Sequence, residues 1–250
     1  MPEFKLKLAG RVAAVSSIFD STPLFFHNYL TDEEADFSVS VNRADVDYER
    51  KMAYEEAIVE GFKPRNFPDT YLERLAIQRK IAENLFDYGV LLFHGSAVAV
   101  DGQCYLFTAK SGTGKSTHTR LWRQVFGDRA MMVNDDKPFL RFKDEGIFVC
   151  GSPWSGKHGL DTNTEVPLKA ICLLERGTEN QIFRPETSIA YFLLQQSYRP
   201  MDARKAPKYM EMVDTLASST ELWQMRCNMS PEAATVSYTA MSGGVLHQSS

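Results

Sequence analysis

The chain has 250 residues, with 28 lysines and arginines against 32 aspartates and glutamates, a formal net charge of −4 at pH 7. That length holds one large α/β domain, or one domain with a smaller appended layer. The acidic balance argues against a nucleic-acid binder, whose surface is basic. No apolar run reaches membrane-spanning length, and the N-terminal MPEFKLKLAGRVAAVSS lacks the long apolar core and cleavage site of a signal peptide.

Residues 3–18 alternate loosely between apolar and polar and predict a strand or hairpin. Thr31 to Glu34 reads as a helix start or an acidic turn, and Asp36 to Val41 as a strand. Residues 43–66 are charged and end in a turn at Pro64. From Asp69 the apolar residues Leu72, Leu75, Ala76, Ile81, Leu85 and Phe86 fall at helical spacing, with Asp69 or Thr70 as cap and Gly89 as stop. Residues 1–88 thus read as a small mixed β/α layer ending in a helix.

Val90 to Val100 reads as one buried strand, and Asp101-Gly102 as the tight turn of a hairpin into Cys104–Thr108. A helix is predicted over 116–126, a short buried strand over 130–133, a hairpin around Asp144-Glu145-Gly146, and a polar glycine-rich loop over 151–165. A further buried strand (168–174), helices at 187–196 and 206–216, a strand at 221–227 and a helix after Pro231 complete the chain. The tail from Gly243 is expected to fray. The cysteines Cys104, Cys150, Cys172 and Cys227 are widely spaced, with no C-x-x-C pair and no metal spacing, so they read as reduced core thiols of a cytoplasmic protein.

The chemistry centres on QCYLFTAKSGTGKSTHTR, residues 103–120. An apolar strand, a glycine loop and a helix follow one another, as in the phosphate-binding pattern G-x-x-x-x-G-K-[ST], with Ala109 in the first glycine position. Glycines let consecutive amides turn onto phosphate oxygens, and the helix N-terminus adds unpaired donors and a positive dipole end. Ser111, Gly112, Thr113, Gly114, Lys115, Ser116 and Thr117 are the candidate nucleotide contacts. Lys115 would reach the outer phosphates and the Ser116 hydroxyl a magnesium ion. Asp135 and Asp136, at the end of the next strand, either supply a carboxylate for Mg²⁺ and one to take an acceptor's proton, or belong to a surface turn, DDKP. Adjacent strand residues face opposite ways, so both enter one site only if the strand ends there. His94 interrupts an apolar run, where a histidine is either a hydrogen-bonded core residue or a catalytic or phosphate-contacting one. Lys157 and His158 in the glycine-rich loop either close over the phosphates or belong to a solvated loop.

The run from His94-Gly95 through the hairpin, Ser111-Gly112-Thr113-Gly114-Lys115-Ser116, helix and strand to Asp135-Asp136 resembles the catalytic domain of HPr kinase/phosphorylase. That family shares its core fold with the phosphoenolpyruvate carboxykinases. The likeness spans about residues 90–175. It implies an α/β fold with a mixed-sheet core over 89–250 and C-terminal helices. It also implies His94 in the active site, Lys115 on phosphate, Ser116 on magnesium, Asp136 as general base and Asp135 beside it on the metal. The chain departs from the family at Ala109, after Cys150, and in lacking a counterpart for the family's C-terminal arginine, which leaves the acceptor open. The expected activity is therefore ATP- and Mg²⁺-dependent transfer of the γ-phosphate to a hydroxyl of a protein or peptide serine, or of a small molecule. Carboxykinase-like chemistry and a nucleotide-binding module without transfer are the alternatives. An N-K-x-D guanine-reading motif is missing, and neither a nucleic acid nor a membrane is an expected partner. Members of the family often form homo-oligomers, which the resemblance extends to this chain.

Overall fold

A computed structural model of the chain describes residues 1–59, 61–110, 112–185 and 190–243. Ser111, the start of the helix expected from Thr187, and the tail beyond Gly243 lie outside the described residues. The fold is mixed α/β and divides into two compact units, Met1–Tyr88 and Gly89–Ser250. No helix among the described residues is long and apolar enough to cross a membrane.

The first unit opens with an antiparallel hairpin, β1 (Glu3–Leu8) and β2 (Arg11–Ser16). Ala9 (φ 48°) and Gly10 (φ 72°) make its turn, the two left-handed residues that match the twist of a two-residue hairpin. A four-residue helix, α1 (Thr22–Phe25), follows, and β3 (Phe37–Ser40) runs parallel to β2. Residues 31–34 form no helix. The charged stretch after them is a 17-residue helix, α2 (Arg43–Val59), which buries only Val46 and so lacks the apolar stripe by which helices are read from sequence. Ion pairs attach it to α3 (Asp69–Leu85): Arg79 meets Glu49 at 2.6 Å, and Lys80 meets Asp45 at 2.7 Å. The expected cap at Asp69 or Thr70 does not form. Pro68 occupies the cap position without a side-chain bond, and Asp69 pairs with Arg43 and Arg50 instead.

In the second unit the stretch 90–100 is two strands rather than one. β4 (Val90–Leu92) pairs with β8 (Phe139–Lys143), whereas β5 (Ser96–Val100) pairs with β6 (Gln103–Thr108) and β7 (Ala130–Asn134). Phe93, His94 and Gly95 are the crossover between them. Their backbone lies against the segment after β7: Phe93 donates to the Pro138 carbonyl at 3.0 Å and Gly95 to the Asp136 carbonyl at 3.0 Å, while His94 N–H turns the other way to Gln196. A methyl at Gly95 would sit 3.0 Å from both Leu106 and the Phe107 carbonyl, so the crossover tolerates no side chain there without a shift. Asp101 (φ 52°) and Gly102 (φ 76°) close the β5–β6 hairpin.

β8 and β9 (Gly146–Cys150) form the expected hairpin. The 12-residue β10 (Glu165–Arg176) then holds the sheet together. Its first residues pair antiparallel with β9, its remainder runs parallel to β12 (Glu221–Cys227), and its other edge runs parallel to β6. A short strand not anticipated from sequence, β11 (Gln181–Phe183), borders β12. The helices of this unit are α4 (Lys115–Phe126), α5 (Ala190–Gln196), α6 (Ala206–Ser219) and α7 (Glu232–Ser242).

α4 is strongly two-faced, burying His118, Leu121, Trp122 and Phe126 at helical spacing. Trp122 is fully buried, with Tyr105, Phe107, Phe126 and Tyr238 rings 4.8 to 5.6 Å away. Its indole N–H reaches Ser237 of α7 at 2.9 Å and His118 Nε2 at 3.2 Å. This cluster seats the N-terminus of α4 on the sheet. The four cysteines are free thiols; three are buried and Cys227 is half-buried.

Burial pushes the His118 imidazole down to about 4. An unfolded chain takes up this proton near pH 6.5, the folded one only near 4, so the unfolded state binds more protons within that window. Folding stability should fall by about 3 kcal/mol from this residue as pH drops from 6.5 to 4, and should not depend on it above 6.5. Urea titrations of the wild type and His118→Gln across that range test this: the stability difference between them should shrink as the pH falls.

Candidate active site

β5 is antiparallel to both β6 and β7, so β6 and β7 run the same way, and β10 and β12 run with β6. Four strands therefore end on one side of the sheet. The glycine loop leaves β6 there, Asp135 and Asp136 leave β7, Arg176 closes β10, and Cys227 closes β12. β5 begins at that same end, directly after His94-Gly95. Ligands in open α/β sheets sit outside the carboxyl ends of strands, and here the chemistry-bearing residues collect at that end.

Locally the loop is built as its residue types require. Ala109 is fully buried in the core, and it is not among the residues with positive φ, so a methyl group serves in place of the pattern's first glycine. Gly112 (φ 74°) and Gly114 (φ 122°) take conformations that L-residues avoid. Gly114 caps α4, with His118 N–H closing the first turn onto its carbonyl at 3.0 Å. Lys115, Ser116 and Thr117 form that first turn. The Arg176 guanidinium donates to the Gly112 carbonyl at 2.7 Å, turning that carbonyl toward β10.

β7 ends at Asn134, so the alternation that would separate Asp135 from Asp136 stops before them. Asn134 Oδ1 accepts from the N–H of Asp136 (2.8 Å) and of Lys137 (2.6 Å), a tight turn that leaves both carboxylates on the loop side. Asp135 is buried at 5% exposure and accepts from the Ser96 hydroxyl at 2.7 Å; Ser96 Oγ also lies 2.8 Å from Thr119 Oγ1 on α4. Asp136 Oδ1 lies 3.3 Å from His94 Nε2.

The charges of this cluster act on one another. Burial lowers the His94 imidazole, outweighing its hydrogen bond to Asp136, and the ammoniums of Lys137 and Lys115 lower it further. Burial raises the Asp136 carboxyl, but the His94 hydrogen bond and the charges of Lys137 and Lys115 hold it below the usual carboxylate range. The pair is thus a neutral imidazole donating Nε2–H to a carboxylate. Burial likewise lowers the Lys115 ammonium against the opposing pull of Asp136 and Asp135, with Lys137 adding to the fall. His94, Lys115, Asp135 and Asp136 are therefore brought together.

The glycine-rich stretch after β9 is not a wholly solvated loop. Its first five residues, 151–155, are buried. A side chain at Gly151 would collide with the Thr162 carbonyl at 1.9 Å, and Thr162 is bonded back to β7 through the Val133 and Met132 carbonyls. Gly156 lies over Asp136, where a methyl would stand 3.3 Å from its Cβ. Lys157 and His158 follow in an exposed 3₁₀ turn. Beside Lys115, a second cation bears on His94 and Asp136: Lys137, which the sequence does not single out. Its N–H is held by Asn134 and by the Trp154 carbonyl, and its own carbonyl by Ser152. Among the described residues its ammonium has neither hydrogen bond nor ion pair. Ser96, Thr119, Asn134 and Arg176 were also missed. A small polar residue beginning a buried strand was the available signal only for Ser96.

Among the described residues no three His, Cys, Asp or Glu side chains gather as a metal cage. Ser116 and Asp135 carry oxygen donors, the type that a hard cation such as magnesium takes.

A solved structure of the HPr(Ser) kinase/phosphatase from Coxiella burnetii is 11% identical in sequence, with the match covering 51% of this chain and 97% of that one at a TM-score of 0.29. No curated protein matches the chain. The family described as SynChlorMet cassette protein ScmC matches residues 69–240, more than half of the chain. The chain belongs to the ScmC family.

Proposed function

We propose that the chain is an ATP- and Mg²⁺-dependent phosphotransferase that moves a γ-phosphate to a hydroxyl of a peptide or protein serine, or of a small molecule. One observation carries this reading: Lys115 at the head of α4 shares a charge cluster with Asp136, Asp135 and His94, which come from two other places in the chain. The glycine loop and the first turn of α4 hold the polyphosphate, and Lys115 reaches its outer end. Asp136 takes the proton of the acceptor hydroxyl as that oxygen bonds to the γ-phosphorus and the bond to the bridging oxygen breaks, releasing ADP. His94 donates to Asp136 Oδ1, which aims the carboxylate and leaves its other oxygen for the acceptor. Ser116 and Asp135 are the residues that would hold Mg²⁺, which when bound supplies charge neutralisation across the phosphates. Lys137 supplies a second positive charge beside the acceptor. A carboxylate ionised next to the phosphate cradle favours transfer over a module that only binds nucleotide.

Label from γ-³²P-ATP should pass into a protein or small-molecule fraction of a cell lysate. Lys115→Ala should abolish this transfer. Asp136→Asn should keep nucleotide affinity within a few fold and slow transfer by about 10²–10⁴-fold; an undiminished rate would refute the assigned base.

Lys137→Ala should slow transfer by about 10²-fold while the nucleotide Kd stays nearly constant, with partial recovery in Lys137→Arg. A loss confined to nucleotide affinity would instead place Lys137 on the donor side.

A further inference from the structure

A cavity of about 500 Å³ opens on the side of the glycine loop away from the acids. One wall is the loop and the α4 face that follows it: Gly112, Gly114, Thr117 and Leu121. The other is the carboxyl ends of β10 and β12: Arg176, Cys227 and Met229. Its volume lies within the range of small-molecule pockets. We infer that this cavity receives the nucleoside end of the phosphate donor, and receives it by shape, so that triphosphates of different bases bind about equally. The inference rests on the phosphate-loop reading above.

Direction decides the occupant. Lys115, Asp135 and Asp136 mark where the outer phosphates and the acceptor meet. A triphosphate held with its outer end there must leave the loop on the opposite side, past Thr117, which is where the cavity lies. A smaller hollow beside Lys110, Thr113 and Phe192 touches no residue of α4 and so lies off this path.

The character of the far wall decides the specificity. The Arg176 guanidinium is engaged by the Gly112 carbonyl at 2.7 Å. Asn228, which also borders the cavity, donates its amide to the Thr178 carbonyl at 3.0 Å and accepts from Ser230 N–H at 2.9 Å. The His118 Nε2 belongs to the Trp122–Ser237 network. The rest of the side-chain lining is Thr113 and Thr117 with the apolar Leu121, Cys227 and Met229, the Cys227 thiol leaning toward the Glu175 carbonyl at 3.8 Å. Such surfaces grip a flat ring by contact and select weakly, whereas strong selection needs hydrogen bonds to the base edge.

The half-buried thiol of Cys227 is the reporter, since Cys104, Cys150 and Cys172 are buried. The wild-type protein is treated with N-ethylmaleimide, with Mg²⁺ and saturating ATP, GTP, CTP or inorganic tripolyphosphate, and the modified peptide is quantified by mass spectrometry. Each nucleoside triphosphate should slow alkylation of Cys227 by about tenfold or more, and tripolyphosphate should leave it unchanged. Calorimetric Kd values for ATP, GTP and CTP should agree within about tenfold. Cys227→Phe should weaken all three without altering tripolyphosphate binding. Saturation by a nucleotide without protection of Cys227, or a base preference above about a hundredfold, overturns the inference and leaves the loop reading intact. Failure of tripolyphosphate and nucleotides alike to bind overturns the loop reading, and this inference with it.

Discussion

The Ser96 hydroxyl ties together the three pieces of backbone on which the site depends. It lies 2.7 Å from Asp135 and 2.8 Å from Thr119, so the start of β5, the end of β7 and the second turn of α4 share one buried contact. A carboxylate at 5% exposure needs such a donor, because an unsatisfied buried charge costs more than an ordinary hydrogen bond contributes. Thr119 in turn approaches the Lys115 and Ser116 carbonyls at 3.4 Å, which carries the constraint to the first turn of α4. The position of the glycine loop relative to the acids is thus fixed twice, by sheet register and by this hydroxyl.

Sheet register is the coarser of the two, and it was the more legible in sequence. The Asp101-Gly102 turn, the glycines of the loop and the spacing of Leu121, Trp122 and Phe126 each reflect local backbone or helix-face demands, and local demands leave marks in local sequence. The strand ending at Asn134 was legible for the same reason. The split of 90–100 into β4 and β5 was not. Both halves are buried, and the hydrophobic run is interrupted only at residues 94–96, too briefly to mark the end of a strand. Only Gly95 signals the change of sheet partner, through a close approach that involves residues 106 and 107. α2 escaped for the opposite reason, having almost no buried face and being held by charge pairs to α3.

The site residues divide along a similar line. Lys115, Ser116 and the aspartate pair announce themselves because their chemistry is tied to a short pattern. Ser96, Thr119 and Arg176 act through partners 23 to 64 positions away, and nothing in their immediate sequence names those partners. Lys137 was obscured by Pro138, which makes DDKP look like a surface turn. The turn is real, held by Asn134 Oδ1, but it faces inward because the buried 151–155 segment covers its outer side.

The distribution of partners within the cluster favours a polyanion as its guest. Asp135 receives its hydrogen bond from a hydroxyl and Asp136 from a neutral imidazole. Neither carboxylate forms a direct ion pair with a lysine among the described residues, so Lys115 and Lys137 keep their donors uncommitted. Two carboxylates each bonded directly to an ammonium would make a closed, self-neutralised knot, and a phosphate entering it would have to break those pairs first. Here the acids are satisfied by uncharged donors while the ammoniums sit close enough to lower the pKa of His94 and Asp136. Lys115 is half-buried, and burial lowers its ammonium. Under the proposed function, an entering phosphate would meet a cation with no ion pair among the described residues and partly desolvated, the condition under which a single charge contact is strongest.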